Sequence, residues 1–412
     1  MTTTSGLSVA VIGIGARSEI GHHVPVARPG SHVTAVVDTT AEGRERSRNL
    51  FPSTSQDEVV VHPDHHALIS AGGLDAAIVT TPDHTHADIT VDLLHAGIAV
   101  YLEKPLATTL ADADRVLLAA AETGTALYVG HNFRHAGVVR TMRGIIERGE
   151  IGEVKAIWVR HFVGHGGDYY FKDWHADRSR TGTLLLQKAS HDIDVVHHLA
   201  GGFTRTVVGM GDLMVYGSVT DRRDRGSETM PDWFSMDNWP PAAQTGLNPV
   251  VDVEDVSMAM MTLDNGVMAS YQQCHFTPDY WRNYTVIGTE GRFENFGDTA
   301  GGTVKVWDRR HEWQSAGDRE YPIEGVASGH EDADLATMTE FLAHVADGSP
   351  TLVSPVAARA AVATGALAAE SLRDGSTPRT VPDLPPHVLR HFAATSNAAG
   401  QTATPGTTPR RR

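Results

Sequence analysis

Lys104, Lys188 and His191 are the side chains whose types and settings best suit them to hold or move a proton. Lys104 stands in Glu103-Lys104-Pro105, at the end of the apolar run Ile98-Ala-Val-Tyr-Leu, and the proline biases it toward an extended conformation. A lysine at a strand's carboxyl end, beside an acid, is poorly explained as a surface charge. Partial burial would lower its proton affinity and suit it to proton transfer or to polarising a hydroxyl. The plainer alternative is a structural Glu–Lys pair at a sheet edge. His191 and Lys188 share the segment Gln187-Lys188-Ala-Ser-His191-Asp-Ile-Asp194. An imidazole ordinarily titrates at roughly pH 6.5, which makes His191 the expected proton acceptor. Lys188 would bind an adjacent hydroxyl or exchange roles with Lys104. Two lysines close together depress each other's proton affinity, leaving one neutral and usable as a base.

Such a base can remove a hydroxyl proton, and oxidation also needs a hydride acceptor. The run Val9-Ala-Val-Ile-Gly13-Ile-Gly15-Ala16-Arg17-Ser18 offers a place for one. Gly13 permits a tight turn after the first strand, and Gly15 lets backbone amides approach a pyrophosphate. Ser18 occupies the third glycine position of that fingerprint. Asp38 ends the next apolar run, where a carboxylate accepts from ribose hydroxyls and repels a 2′-phosphate. NAD is therefore expected over NADP, with Arg44 the nearby cation that argues the other way. In Thr80-Thr81-Pro82-Asp-His-Thr-His86, Pro82 would fix a loop at a strand's carboxyl end, and His86 would start the next helix near the nicotinamide ribose. No metal is expected. The pairs His84/His86 and Asp194/His198 lack a third spaced ligand or a thiolate cluster.

These groups need a scaffold, and the pattern supplies a two-domain one. Strand-like runs at 7–12, 32–37, 76–80, 98–102 and 126–130 alternate with helical patterns at 86–95 and 110–122, with another helix at 137–148. That alternation predicts an α/β, doubly wound parallel sheet over residues 1–131. Beyond 152, β-rich runs at 153–162, 205–215, 256–263, 267–273, 284–287 and 304–307 surround one helix at 190–199. They predict an α+β domain with a mixed or antiparallel sheet over 132–395. Residues 217–250 are expected to form a functional flap or interface loop. Helices at 333–346 and 355–372 follow, the second expected to pack back on the first domain, and 396–412 read as a disordered tail. The 412 residues carry a formal charge of −16, which argues against nucleic acid or an anionic membrane as partner. No apolar run approaches the roughly 20 residues of a spanning helix. Met1-Thr-Thr-Thr-Ser-Gly is no signal peptide, and a single cysteine, Cys274, fits a reducing, cytoplasmic setting.

Taken together, Gly13-Ile-Gly15, Thr81-Pro-Asp, Glu103-Lys104-Pro105, Gly130-His-Asn132-Phe-Arg134, the segment 183–194 and Val286-Ile-Gly-Thr-Glu-Gly-Arg292 resemble the Gfo/Idh/MocA oxidoreductases. The resemblance implies a Rossmann domain, a C-terminal domain on a large open, mostly antiparallel β-sheet, NAD(P), and sugar or polyol substrates. It implies that Lys104 and His191 face the substrate hydroxyl and that Asn132 sits near the cofactor–substrate boundary. Glu103 joins the expected cofactor contacts. The open sheet would pack on another subunit, giving a homo-oligomer, dimer or tetramer. Many members carry Asp-x-x-x-His here, whereas this chain has Gln187 followed by Lys188. That departure, with Tyr169–His175 and 278–284, resembles a branch of sugar and glycoside dehydrogenases, some acting at ring C3. Trp174, His175, Tyr280, Trp281 and Arg282 are candidates to line a sugar pocket with Arg134, Asn132 and Gln187, because aromatic faces bury the C–H surface of a sugar. Two other functions use the same residues: a lyase or glycosidase that retains NAD and oxidises its substrate transiently, and a non-catalytic NAD-binding sensor.

Overall fold

Strand β1 (Ser8–Ile12) is buried at four of its five positions. A strand so sealed requires helices on both faces of its sheet. It pairs in parallel with β2 (His32–Val37) and β4 (Ala76–Val79), and the sheet continues through β3 (Val60–His62), β5 (Ala99–Leu102) and β6 (Leu127–Val129). In this computed structural model, which describes residues 6–53, 58–226, 228–325 and 331–393, the order is β3-β2-β1-β4-β5-β6, parallel throughout. The order reverses between β1 and β4, which opens a crevice beyond their carboxyl ends.

The amphipathic stretches fall where their periodicity puts them, at His86–His95, Leu110–Thr123 and Gly137–Glu147. Thr109 caps the second of these by accepting from Asp112 N, and Gly124 ends it in the left-handed conformation. The helices Ala41–Leu50 and His65–Ala71 and the strand β3 gave no clear pattern. The first of them, Ala-Glu-Gly-Arg-Glu-Arg-Ser-Arg-Asn-Leu, buries only Gly43 and Ser47.

The second sheet has nine strands: β7 (Val154–Phe162), β8 (Thr204–Asp212), β9 (Val256–Leu263), β10 (Met268–Cys274), β11 (Trp281–Gly288), β12 (Arg292–Phe296), β13 (Thr303–Trp307), β14 (Arg319–Pro322) and β15 (Arg379–Thr380). Their order is β14-β13-β12-β11-β7-β10-β9-β8-β15, and every pairing is antiparallel except β7 with β10. Helices Ala189–Ala200 and Pro355–Arg373 cover one face, where Ile193, Val196, Ala361 and Ala368 join Val159, Tyr271 and Tyr284. The other face leaves Trp158, Met210, Met258, Met260 and Met268 exposed, Met260 by 68%.

Two late helices return to the first sheet. Ala358 and Val362 of Pro355–Arg373 pack with Leu102 and Val116. Met338, Phe341 and Leu342 of Glu331–Asp347 pack with Val9, Val11, Tyr101 and Tyr128 on the opposite face. The segment 217–250 is folded against the second lobe, with Trp233 Nε1 donating to Asp168 O at 2.8 Å and Asn238 Nδ2 to Asp168 Oδ1 at 2.7 Å. The expected tail at 396–412 lies outside the described residues.

Candidate active site

The glycine turn closes the gap between β1 and β4. Gly13 adopts φ +91°, and a Cβ there would come within 2.8 Å of the Thr81 backbone, so the position requires glycine. Thr80 Oγ1 donates to Gly13 O at 2.6 Å, tying the two strand ends together. At Gly15 a Cβ would meet no atom within 4 Å, so this backbone faces open space. Ser18, in place of the third glycine, is buried and donates its hydroxyl to Gly15 O at 2.7 Å, which explains why a small polar residue serves there. Asp38 Oδ2 accepts from Ile14 N at 2.9 Å, and Oδ1 accepts from Thr40 N and Oγ1. Arg44 spends Nη1 on Asp38 O at 2.8 Å. An open glycine turn with an acid at the end of the second strand fits a dinucleotide: Gly13, Gly15, Ala16 and Thr81–Pro82 border the crevice, and Asp38 Oδ2 keeps a lone pair for a ribose hydroxyl.

Glu103, Arg17 and Asn132 meet on a residue from the far end of the chain. Arg17 donates to Glu103 Oε1 at 2.6 Å and to Asp334 Oδ2 at 2.8 Å, and Asn132 Nδ2 donates to Asp334 Oδ1 at 2.7 Å. This network joins the glycine turn, the β5 end and the helix Glu331–Asp347.

The Lys104–Pro105 peptide is cis. Lys104 Nζ donates to Gln187 O at 3.3 Å, so its ammonium reaches the backbone of the residue before Lys188. His191 is 7% exposed, its Nδ1 is buried with no hydrogen-bond partner among the described residues, and its ring lies edge-on to Phe133 at 5.7 Å and to His131 at 6.2 Å. Lys188 Nζ lies 5.7 Å from the Tyr170 ring centroid. Behind them Asp192 gathers the support: His161 Nδ1 lies 2.9 Å from its Oδ2, Tyr284 donates its hydroxyl to Oδ1, and Arg282 Nε lies 3.3 Å from Oδ1. Gln187 Oε1 and His161 Nε2 are also buried with no hydrogen-bond partner among the described residues.

Burial governs the protonation of this cluster. It lowers Lys104, which the neighbouring Asp83 and Glu103 carboxylates partly restore. It lowers Lys188 further, to about 7, because Arg282 and Lys104 add positive charge nearby. His191 is pushed well below its usual value by burial and then by Lys104 and Arg282, so the ring is neutral at ordinary pH. Burial raises Asp83.

Two of the expected contacts fall elsewhere. His86 is buried, with Nδ1 on Pro105 O at 2.7 Å and Nε2 on Thr81 O at 2.8 Å. It pins the two loops together and has no nitrogen left for a ribose. Arg134 is buried against Asp194, with Nε and Nη2 each 2.7 Å from a carboxylate oxygen and Nη1 on Leu352 O. Its donors are consumed in an internal ion pair, which removes it from a substrate-lining set. Trp174 stacks on His175 at 3.7 Å, His175 is held by Asp173, and Tyr280 is 46% exposed with its hydroxyl on Asp298. Asp192, Asp334 and His161 escaped sequence reasoning. His161 faces Arg282 across the β7–β11 pair, a relation no spacing encodes. A surface recess of about 380 Å³ beside Asp212, Glu254 and Arg373 shares none of these residues. His65, His66 and Asp92, outside the cleft cluster, bring three potential ligand atoms within 4.8 Å of one another.

A doubly wound parallel sheet with an open glycine turn, beside a buried lysine–histidine cluster under a second open sheet, defines an NAD-binding oxidoreductase. The chain belongs to the Gfo/Idh/MocA family: residues 7–131 match its NAD-binding Rossmann fold and residues 143–381 its C-terminal alpha/beta domain. It is 35% identical over 270 residues to the 1,5-anhydro-D-fructose reductase of Ensifer adhaerens, covering 64% of this chain and 67% of that protein. It is 29% identical over 179 residues to the inositol 2-dehydrogenase of Salmonella typhimurium, 43% of this chain and 49% of that protein, so it spans about half the length of that relative. The structure of levoglucosan dehydrogenase in complex with NADH and L-sorbose has the same fold, with TM-score 0.74 at 19% identity over 92% of this chain and 100% of that one. No helix among the described residues is long and apolar enough to cross a membrane.

Proposed function

We propose that the protein is an NAD-dependent dehydrogenase oxidising a secondary hydroxyl of a sugar, glycoside or polyol. The observation that supports this reading is a chain of contacts: His86 ties Thr81, against Gly13 of the glycine turn, to Pro105, and the adjacent Lys104 donates to Gln187 O, one residue before Lys188. Similarity to a sugar-derivative reductase and an inositol dehydrogenase supports the substrate class. NAD, when bound along the glycine turn, supplies the hydride acceptor. Asp38 favours it over NADP because a 2′-phosphate would meet a carboxylate.

Lys188 takes the hydroxyl proton. His191, the acceptor expected from its intrinsic value, is held too far below neutrality to bind a proton well, whereas Lys188 near 7 is partly neutral at working pH. Lys104, lowered by burial and partly restored by Asp83 and Glu103, polarises the same oxygen. His191 contributes a hydrogen bond through Nε2. Tyr280, Trp174, His175 and Gln187 border the sugar. The apolar outer face of the nine-stranded sheet is where a second copy packs, and the reducing interior of a cell is the setting that one cysteine suits.

The reading is tested by screening sugars, glycosides and polyols with NAD and NADP in parallel. NADH accumulating with a sugar, faster than NADPH, is the expected result. Release of an aglycone with no reduced cofactor accumulating would overturn it. With the best substrate, kcat/KM for oxidation should rise with pH through about 7 and then level, because the base is the neutral form of Lys188. Reduction of the ketone, which draws on the protonated amine, should fall over the same interval. A profile flat between pH 6 and 8 (both roughly within a unit of that value) would remove Lys188 from the role.

A further inference from the structure

Arg282 projects from β11 beside the catalytic cluster with a guanidinium that makes no hydrogen bond to any described residue. It is 4% exposed, lies 4.1 Å over the Phe133 ring and 5.9 Å from the Tyr280 ring centroid, and shares Phe133 with His191. Its two acidic neighbours are committed elsewhere. Asp192 is taken by Tyr284 and His161, and stands 3.3 Å from Nε; Asp298 accepts from Tyr280 at 2.5 Å and stands 3.8 Å from Nη1. Nε is buried and makes no hydrogen bond to a described residue, its 3.3 Å approach to Asp192 being an ion pair alone. Buried arginines in native proteins are almost always tied by charge-assisted hydrogen bonds, and this one is balanced only at a distance. Lys104 and Lys188 lie close enough for the Arg282 charge to lower the proton affinity of both. A guanidinium whose Nη edge has no carboxylate within hydrogen-bond distance among the described residues, with two lysines nearby, matches a planar, two-oxygen anion better than it matches a single hydroxyl.

Resting on the dehydrogenase reading above, we propose that the substrate is an acidic sugar whose carboxylate is bound by Arg282, beside the hydroxyl presented to Lys104 and Lys188. The anchor would fix which ring carbon faces the nicotinamide, making Arg282 a specificity-determining residue. Phe133 and Tyr280 would flank the guanidinium and keep it in place.

The NAD-loaded protein should be titrated calorimetrically with pairs of sugars that differ only in a carboxylate: glucuronate with glucose, galacturonate with galactose, mannuronate with mannose. In at least one pair the acid should bind on the order of a hundred-fold more tightly than its neutral parent, the scale of a charge-assisted bidentate contact. In Arg282→Gln that ratio should collapse toward one, and in Arg282→Lys, which keeps the charge and loses the fork, it should be intermediate. The wild-type ratio decides the matter even if a variant fails to fold. Equal affinity within every pair, a stronger preference for sugar 6-phosphates, binding of no acid at all, or a ratio unchanged in both variants overturns the anchor. NADH produced from neutral sugars alongside any of these results leaves the dehydrogenase standing and removes only the acid. No NADH from any sugar in the wider screen, with NAD still bound, removes the dehydrogenase reading itself.

Discussion

Replacing Lys188 with methionine is expected to lower kcat by about two to four orders of magnitude while making the protein more resistant to heat below neutral pH. The loss follows from deleting the group proposed to take the hydroxyl proton, and positioned acid–base groups contribute about that much. The gain follows from linkage. Burial beside Arg282 and Lys104 brings Lys188 down to about 7 from an ordinary lysine value, so the unfolded chain binds the proton more tightly than the native one. Stability therefore climbs as pH rises from about 7 towards the unfolded value, and the penalty for a buried ammonium is fully present below about 7. Methionine keeps most of the volume and removes the charge, so melting temperature should rise most at pH 6 (roughly one unit under the native value) and converge with wild type in strongly alkaline buffer. Nucleotide affinity, set at the glycine turn, should not move. Thermal scans and steady-state kinetics across pH check both halves. A variant that keeps full turnover, or that melts lower at every pH, would contradict the placement of Lys188 in the cluster.

What could be read in the sequence was whatever is encoded within a few residues. Gly13, Gly15 and Asp38 announce themselves because a strand, a turn and an acid follow one another in order, and Lys104 because a proline and an acid flank it at a strand end. The alternation of apolar runs with amphipathic stretches gave the parallel sheet for the same reason. Strand β12 was hidden because one of its inward residues is Asn295, buried to donate to Arg282 O and to accept from Tyr284 N, so the period-two pattern is broken where the packing is polar. Asp334 carries no local signal at all. It acts on Arg17 across 317 residues of chain and on Asn132 across 202, and only the return of the helix Glu331–Asp347 to the first sheet brings it there. The intrinsic titration of histidine favoured His191 as base. What favours Lys188 over His191 in the proposed mechanism is burial together with the company they keep, since both lower an imidazole that starts near neutrality out of the useful range and bring a lysine into it, Lys104 and Arg282 adding to the burial.

Arg134 shows the same limit, and a second large effect tests it. Its place in Gly130-His-Asn-Phe-Arg134, next to residues that border the cleft, suggested contact with substrate, yet its partner Asp194 lies sixty residues on, one helical turn past His191. Both side chains are buried, and the bidentate pair ties the end of the first sheet to the helix that carries His191. Removing one member of such a pair leaves a buried charge without compensation, so Arg134→Met should destabilise the protein by about 3–5 kcal/mol. The deficit should shrink in acid: Arg134 holds the Asp194 carboxyl well below its ordinary range, and without it the group regains a proton as pH falls and ceases to be a buried charge. Replacing both residues, Arg134→Met with Asp194→Leu, should recover most of the loss, because an apolar pair of similar volume can fill the space an ion pair leaves. Urea unfolding of the single and double variants measures this directly. A single variant of wild-type stability whose KM for sugar rises tenfold or more would return Arg134 to the substrate, because a residue that only joins the two lobes has no separate way to change sugar affinity while leaving the fold intact.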